Sequence, residues 1–440
     1  MKILTTYSVK IKETEYNKVL VDTVIKYRQA VDYLIDVVLK EWNNVIIIEG
    51  DKLRQRFIET LIVGTHTSAA KYDFTSIFYK FPCYLRRAAI SESLGKVSSY
   101  KSNYNNWLKD KKGKKPGYPA AGYVYPALYR DNTYVRKDMY SAEIKVWIRN
   151  TWDWITVSLN KGDVDYILRN CSSRTECIPT IRKRGKKWYL DFAFKENVVL
   201  SDIIANNSIA VAVDLGINNA CTCVAMLSDG TILGREFLKL PGEQDSLKHS
   251  LNRIKKAQQH GAKRMPRLWA KAKGINDDIS TKTASFIIAF AEKYNANVIV
   301  FEHLDINGKK RGSKKQRLHM WRSAYVQSMV ADKAHRLGMR ISHICAKNTS
   351  RLAYDGSGNV YRGKEAYLNS YSLCKFKNGK TYNCDLNAAY NIGARYYIRE
   401  ILRMKPETAR LDIEAKVPQC SKRSTCTLST LISLNAVISA

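Results

Sequence analysis

Three acidic residues lie at the ends of predicted structural elements, two where apolar segments end and one where a helical pattern begins. Asp214 ends the hydrophobic segment SIAVAVDLG, and Glu302 ends a second one, NVIVFEHL. Strands that are apolar at almost every position are usually buried on both faces, so an acid there is costly unless it has a partner. Asp385 follows the polar residues YNC and precedes a helical pattern beginning LNAA, where the helix dipole favours its ionised form. These three carboxylates are therefore candidate catalytic or metal-binding groups.

Carboxylates that meet at one end of a sheet repel one another, and Mg²⁺ or Mn²⁺, which prefer oxygen ligands, relieve that repulsion. Two such ions about 3.5–4 Å apart activate a water molecule and stabilise the leaving oxygen of a phosphodiester. The sequence thus predicts metal-dependent phosphodiester hydrolysis, with Asp214, Glu302 and Asp385 as catalytic residues and metal ligands. Taken singly, each has an ordinary alternative: a strand-end turn residue, a salt-bridge partner and an N-cap. Gly216 is expected to let substrate or metal approach closely.

The charge of the chain points to a polyanionic partner. Its 440 residues include 73 Lys and Arg against 40 Asp and Glu, a net charge of +33. Nucleic acid is the expected partner because its phosphates release condensed counterions when basic side chains neutralise them. A ribosomal-type protein or a membrane-surface protein are the alternatives. The sequence has no apolar run of about 18 residues and no signal-peptide core, so we expect no membrane association and a cytoplasmic location.

The hydrophobic pattern predicts a multidomain α+β protein. Apolar residues at intervals of three and four predict an amphipathic helix pair over 13–43 and another helical stretch over about 82–108. Alternating segments between about 141 and 195, together with the opening ILTTYSVKI, predict a small antiparallel barrel that holds the helical part as an insertion. After that come a three-stranded meander, a basic helical region, an apolar strand, a helix, a strand, an irregular stretch to about 381 and a final helix. That order is expected of a ribonuclease-H-like α/β domain.

With these motifs, the chain resembles the transposon-encoded TnpB proteins and the compact type V CRISPR effector nucleases known as type V-F. The resemblance rests on VDLGINN at 213–219, VFEHL at 300–304 and CDLNAAYNIGAR at 384–395, supported by NTSR at 348–351 and KKPGYP at 114–119. It implies a RuvC active site at Asp214, Glu302 and Asp385. It also implies RNA-guided cleavage of DNA in a prokaryote, in which a guide RNA pairs with one strand and the protein reads a short flanking motif. The implied partners are a guide RNA and target double-stranded DNA, and two copies on one guide are left open.

The resemblance also implies domain boundaries. These are a wedge-like β-barrel at 1–12 and 136–200, a helical recognition region at 13–135, a RuvC nuclease domain at 206–345 and 382–440, and a target-nucleic-acid-binding insertion at 346–381.

The sequence departs from the family in that insertion. Between NTSR and the last aspartate, TnpB-like proteins commonly carry two CxxC pairs that form a zinc ribbon, whereas the stretch from 348 to 384 holds only Cys374 and Cys384. Two thiols without a second pair do not complete a tetrahedral site, so we expect a zinc-free module. Asn383 and Cys384 replace the residues that usually precede the last acid, and Asp385 itself is intact.

Basic and aromatic residues interleave in two clusters that suit phosphates and stacked bases. The first surrounds KKPGYP, the second follows Glu302 and is a candidate lid over the active site, and NTSR adds one arginine. The predicted nucleic-acid contacts are Arg86, Arg87, Lys111, Lys112, Lys114, Lys115, Tyr118, Lys309, Lys310, Arg311 and Arg351.

Three rivals to a CRISPR effector remain open at this point. A TnpB nuclease would use the same chemistry, but the long N-terminal helical region and the missing CxxC pairs favour the CRISPR side. A guide-dependent repressor would bind without cutting and would not need three strained acids. An unguided junction resolvase would not need so large a basic N-terminal half.

Overall fold

The computed structural model describes residues 1–64, 69–111, 113–202, 208–216, 219–303, 322–370 and 372–439. The chain divides into two compact units: Lys2–Asn197, called here the N-terminal unit, and Val198–Ala440 with Met1, called the C-terminal unit. No helix within the described ranges is both long enough and apolar enough to cross a membrane.

The N-terminal unit mixes helices and antiparallel strands. Its helices are α1 (Asn17–Lys40), α2 (Trp42–Ile47), α3 (Asp51–Ile62), α4 (Phe74–Ile77), α5 (Cys83–Asp110) and α6 (Lys161–Cys171). Its strands are β1 (Lys2–Lys10), β2 (Tyr134–Arg136), β3 (Ser141–Ile148), β4 (Thr151–Ser158), β5 (Thr175–Glu176), β6 (Thr180–Arg184) and β7 (Lys187–Asn197). The predicted helix pair over 13–43 is instead one long helix, because apolar residues recur at helical spacing without a turn signal from Leu20 to Val38.

The strands of the N-terminal unit form two sheets. One contains β1, β7, β5 and β6, and the other has the order β2-β3-β4. Among the described residues these ladders do not close into the expected barrel, and the two sheets are joined by an isolated bridge between Ile11 and Leu159. One cause is local: β4 ends where the Asn160 side chain caps the unpredicted helix α6, which takes the chain out of the sheet.

The C-terminal unit is built around a five-stranded sheet. Its strands are β8 (Ala210–Asp214), β9 (Cys221–Met226), β10 (Ile232–Leu238), β11 (Val298–His303) and β12 (Arg340–Cys345), in the order β10-β9-β8-β11-β12. Its helices are α7 (Pro241–Gln259), α8 (Pro266–Lys293), α9 (Ser323–Arg336), α10 (Cys384–Met404), α11 (Glu407–Lys416) and α12 (Leu428–Ser439). The meander β8-β9-β10 is antiparallel, whereas β11 pairs in parallel with both β8 and β12. This is the strand order expected of the α/β domain.

Strand alternation divides the buried residues of this sheet between two hydrophobic cores. Ala210 and Ala212 pack with α10, whereas Val211 and Val213 pack with α8. The close approach of α10 depends on Gly393, because an added Cβ would lie 3.0 Å from the Met226 sulfur. A side chain at this position would push the helix off the sheet.

The stretch between β12 and α10, expected to be irregular, contains a small antiparallel sheet. Its strands are β13 (Tyr361–Arg362), β14 (Leu373–Lys375) and β15 (Thr381–Asn383). They are too short to give an alternating sequence signal. The sheet has its own core of Ala353, Val360, Phe376 and the two thiols, Cys374 and Cys384.

Candidate active site

The parallel pairing of β8 and β11 brings two of the predicted acids together. Val213 lies opposite Phe301 in the ladder, so the following residues, Asp214 and Glu302, are neighbours at the carboxyl ends of the strands. Both continue the series of even-numbered residues that face α10. Asp385 is the second residue of α10, so all three acids are directed to one end of the sheet.

The acids interact electrostatically. Burial raises the pKa of Asp214 well above its ordinary value of 3.8, and the charges of Glu302 and Asp385 raise that pKa further. Burial also raises the pKa of Glu302, against the opposing effects of the Thr349 hydroxyl and the Arg395 guanidinium. Because these effects disfavour the charged form of Asp214, a positive charge placed beside it would favour ionisation.

Two polar side chains hold the other acids in place. The Thr349 hydroxyl donates to Oε1 of Glu302, and Nδ2 of Asn219 donates to Oδ2 of Asp385 at 2.6 Å. Oδ1 of Asn383 accepts from the backbone nitrogens of Asp385 and Leu386, both at 3.0 Å, and so caps α10. Each of these acids keeps a second carboxylate oxygen beyond the one used in its side-chain bond.

The donor set has the chemistry of a Mg²⁺ or Mn²⁺ site. It consists of three carboxylates, which supply hard oxygen ligands, and their mutual repulsion is relieved by a cation. Across the described residues, no three acidic, histidine or cysteine side chains are already close enough to hold an ion. The three carboxylates fit such a metal by their chemistry.

Gly216 is required by the local backbone, a reason that sequence reasoning did not consider. A Cβ on Gly216 would lie 2.6 Å from the backbone oxygen of Asn219, a distance that real side chains do not tolerate. The glycine therefore permits its own backbone to lie against that of Asn219. The side-chain amide of Asn219 in turn reaches Asp385.

A buried polar stripe on α10 fixes the loop that carries Thr349. Asn387 accepts from the Tyr354 nitrogen at 2.8 Å, and Asn391 donates to the carbonyls of Thr349 and Leu352, both at 2.9 Å. Arg395, only 4% exposed, continues the stripe one turn later. It donates to the carbonyl oxygens of Cys345 (2.7 Å), Lys347 (2.7 Å), Ser424 (3.1 Å) and Cys426 (3.0 Å).

Sequence reasoning did not single out this stripe, although its signal is present. Asn387, Asn391 and Arg395 recur every four residues among mostly apolar neighbours in α10, so they share one face. A buried polar row of this kind needs partners, and the row could have been read as a clamp on a neighbouring segment.

Arg362 of β13 is a second residue that sequence reasoning missed. Its positive charge lowers the pKa of Asp214, and its Nη2 donates to the carbonyl of Ser350 at 2.5 Å. The guanidinium is thus placed beside the acids by the small sheet. No local pattern marks it, because its position depends on how that sheet packs.

The predicted nucleic-acid contacts of the N-terminal unit have varied surroundings. Arg86 and Arg87 both pair with Glu59 at 3.0 Å, so much of their charge is compensated. Lys115 lies over the rings of Tyr104 (5.5 Å) and Trp107 (6.0 Å), and the exposed Tyr118 donates to Asp36 at 3.0 Å. Lys111 and Lys114 are exposed.

The other predicted contacts belong to the C-terminal part of the chain or cannot be placed. Arg351 is exposed on the loop that also carries Thr349. Lys112, Lys309, Lys310 and Arg311, and with them the candidate lid, lie outside the described residues.

Comparison with known proteins gives a family match in sequence that lies within the N-terminal unit. The profile of the Aq_aa04 family matches residues 5–148. The uncharacterized protein aq_aa04 of Aquifex aeolicus (strain VF5) is 30% identical over 151 residues, which cover 29% of this chain and 86% of that protein. The family match, which ends at residue 148, lies outside the region that carries the three acids.

Solved structures extend the comparison to most of the chain. The fold is similar to that of the protein in a Cas12f1–sgRNA–target DNA complex, with a TM-score of 0.53 and 15% identity, over 86% of this chain and 82% of that one. The Alicyclobacillus acidoterrestris C2c1 protein bound to single-guide RNA is less similar, with a TM-score of 0.43 and 10% identity, over 87% of this chain and 69% of that one. The first similarity confirms, for the fold, the predicted resemblance to compact type V effectors.

Proposed function

Since this chain belongs to the Aq_aa04 family and has a fold similar to that of a Cas12f1 protein, we propose that it is an RNA-guided endonuclease that hydrolyses target DNA. The observation that carries the proposal is the convergence of Asp214, Glu302 and Asp385. They come from two strands and one helix, yet they lie at one end of a sheet, where the charges of Glu302 and Asp385 raise the pKa of Asp214. A protein that only binds nucleic acid has no use for such costly carboxylates.

The three acids would hold divalent cations, and each neighbouring residue has a part in the arrangement. Bound Mg²⁺ would activate the attacking water and stabilise the leaving oxygen of the phosphodiester. Thr349 and Asn219 fix the carboxylates of Glu302 and Asp385 by engaging one oxygen of each. Arg362, whose charge lowers the pKa of Asp214, would bind a non-bridging oxygen of the scissile phosphate.

The proposed partners are a guide RNA and target double-stranded DNA. The solved Cas12f1 relative is a complex with sgRNA and target DNA, and a net charge of +33 suits a protein that must hold two polyanions. We propose a compact type V CRISPR effector with a zinc-free insertion that works in the prokaryotic cytoplasm. Its rival with the same chemistry is a transposon-encoded TnpB nuclease, and genomic neighbourhood would separate the two.

Basic and aromatic side chains of the N-terminal unit are proposed to contact the guide. Lys115, which lies over two aromatic rings, is the best supported of the predicted contacts, because rings stack bases while the ammonium neutralises phosphate. Arg86 and Arg87 are weaker candidates, since Glu59 would have to release them first.

The test is a cleavage assay with the RNA that copurifies with the protein. That RNA is sequenced, and the complex is given matching labelled duplex DNA with Mg²⁺ or with EDTA. We expect Asp214→Ala, Glu302→Ala and Asp385→Ala each to slow cleavage by about 1000-fold or more, since each removes several kcal/mol of transition-state stabilisation. Asp412→Ala is the matched control, because that aspartate is exposed on α11.

Each possible outcome distinguishes one class of function from the others. Full cleavage by any of the three alanine variants would overturn the active-site assignment. Tight guide-dependent DNA binding without cleavage by the wild-type protein would favour the repressor. Cleavage of branched DNA without any bound RNA would favour the resolvase.

A further inference from the structure

We propose that the C-terminal unit carries a second site, a pocket that binds one phosphate group on the edge of the nuclease sheet opposite the three acids. This rear pocket has a volume of about 260 Å³. Its walls are the first residues of β11 and β12 and the C-terminal half of α10, and the lining includes Val298, Arg340, Ser342, Tyr396, Arg399 and Arg403.

The rear pocket is separate from the active site. Val298 begins β11 and Glu302 lies four residues further on, which is about 13 Å along a strand. Asp385 is the second residue of α10, and Arg399 lies fourteen residues later, about 21 Å along the helix. A group bound in the rear pocket therefore cannot be the phosphate that is cut at the acids.

Arg399 forms a fixed wall of the rear pocket. Its Nη1 donates to the carbonyl of His343 at 2.8 Å, its Nη2 to the Ser342 hydroxyl at 2.6 Å, and its Nε to Glu400 at 2.8 Å. Since Glu400 also pairs with Nη2 at 2.7 Å, the two charges compensate each other. Arg399 thus closes the pocket without leaving a net charge in it.

Arg340 and Arg403 supply the uncompensated charge. Arg340 donates its Nε to the carbonyl of Ser201 at 2.5 Å, which anchors the guanidinium through one of its three nitrogens. Arg403 is exposed at the mouth of the pocket. Within the described part of the chain, neither arginine lies within salt-bridge distance of a carboxylate, so about two positive charges converge on one small cavity.

This arrangement selects a phosphate group. Planar guanidinium groups match the oxygens of phosphate bidentately, and the buried ring of Tyr396 gives the pocket an apolar side against which a sugar can pack. The volume lies just below the usual range of about 300–1000 Å³ for ligand pockets, which excludes a duplex and admits one phosphate with its sugar. The phosphate can come from a free mononucleotide or from the backbone of a bound RNA.

The experiment measures binding with the full chain in EDTA, so that cleavage plays no part. One arm titrates adenosine 5′-monophosphate by calorimetry. The other adds a 5′-hydroxyl RNA dodecamer and follows hydrogen exchange of the β12 and α10 amides. The variants are Arg403→Gln and the double variant Arg340→Gln/Arg403→Gln, and Arg423→Gln is the control because it removes the same charge from an exposed position that does not line the pocket.

We expect Arg403→Gln to weaken phosphate binding at the pocket by about 10-fold or more, as loss of a charge-assisted bond implies, while Arg423→Gln does not. Arg403 is exposed, so this variant should fold even if the double variant does not. Weakened nucleotide binding supports the free-nucleotide source, and lost RNA protection alone supports the backbone source. The inference is overturned if neither ligand engages the wild-type pocket or if Arg423→Gln has the same effect. A failed cleavage assay would leave these results standing, since they do not depend on catalysis.

Discussion

Replacing Arg395 with methionine should destabilise the C-terminal unit because it removes four hydrogen bonds at once. The guanidinium is almost fully buried and joins the carbonyls of Cys345, Lys347, Ser424 and Cys426. At about 1 kcal/mol net for each bond, the loss is about 4 kcal/mol. Lysine keeps the charge but lacks the fork of donors, so it can reach about two of the four carbonyls and should lose about 2 kcal/mol.

Native-state hydrogen exchange, read by mass spectrometry, is the assay because it reports each unit of the chain separately. We expect the protection of amides in α10 and in residues 345–354 to be highest in the wild type, lower in Arg395→Lys and lowest in Arg395→Met. Arg403→Met is the control on the same helix and should change stability by at most about 0.5 kcal/mol. Equal losses for the lysine and methionine variants would refute the reasoning, because the effect would then come from packing and not from the carbonyl bonds.

Three further predictions concern other parts of the chain. Gly216→Ala should cut the cleavage rate far more than it lowers stability, because the added Cβ displaces the Asn219 carbonyl and with it the amide that holds the last acid; parallel rate and unfolding measurements check this. Gly393→Val should lower the free energy of unfolding by about 1–3 kcal/mol through overpacking against the sheet, as urea denaturation would measure. The hydrogen bond from Lys71 is the main cause that lowers the pKa of Glu41 to about 2, below its ordinary 4.5, so this carboxylate stabilises the fold above pH 4.5 and less as the pH falls towards 2. Glu41→Gln should remove that part of the pH dependence of the free energy of unfolding, about 1–2 kcal/mol after allowance for the exposed lysine. Urea titrations at pH 7, 4 and 3 measure it, and the same pH profile in variant and wild type would contradict the prediction.

The positions of the three acids could be predicted because the apolar strands on which two of them lie carry strong local signals. SIAVAVDLG and NVIVFEHL contain few polar residues, so an acid at their ends stands out, and parallel pairing makes those ends meet. The catalytic roles of the acids stay predictions until the variants are measured. The side chains around the acids could not be predicted in the same way. Thr349 and Arg362 come from loops and short strands whose partners are set by tertiary packing.

The closed barrel, the helix pair and the irregular insertion were expected from patterns that tertiary structure overrides. Alternation identifies the strands of the N-terminal unit but does not say whether their edges meet, and α6 removes the chain from the sheet after β4. The helices after residue 404, α11 and α12, were not foreseen. α11 is mostly exposed and carries a weak apolar face, whereas α12 is short and apolar around most of its circumference.

The in-register pairing of β8 with β11 ties the assembly of the three acids to the folding of the central sheet. β8 and β11 lie far apart in the chain, so bringing them together costs conformational entropy before their contacts stabilise the fold. We therefore expect these contacts to form late in folding. Helices such as α5 and α8 can form early and give a normal helical signal in molecules that have not yet paired these strands. A preparation could therefore have native-like helix content and no assembled acid set, so the fraction of competent molecules should be counted by turnover and not by circular dichroism.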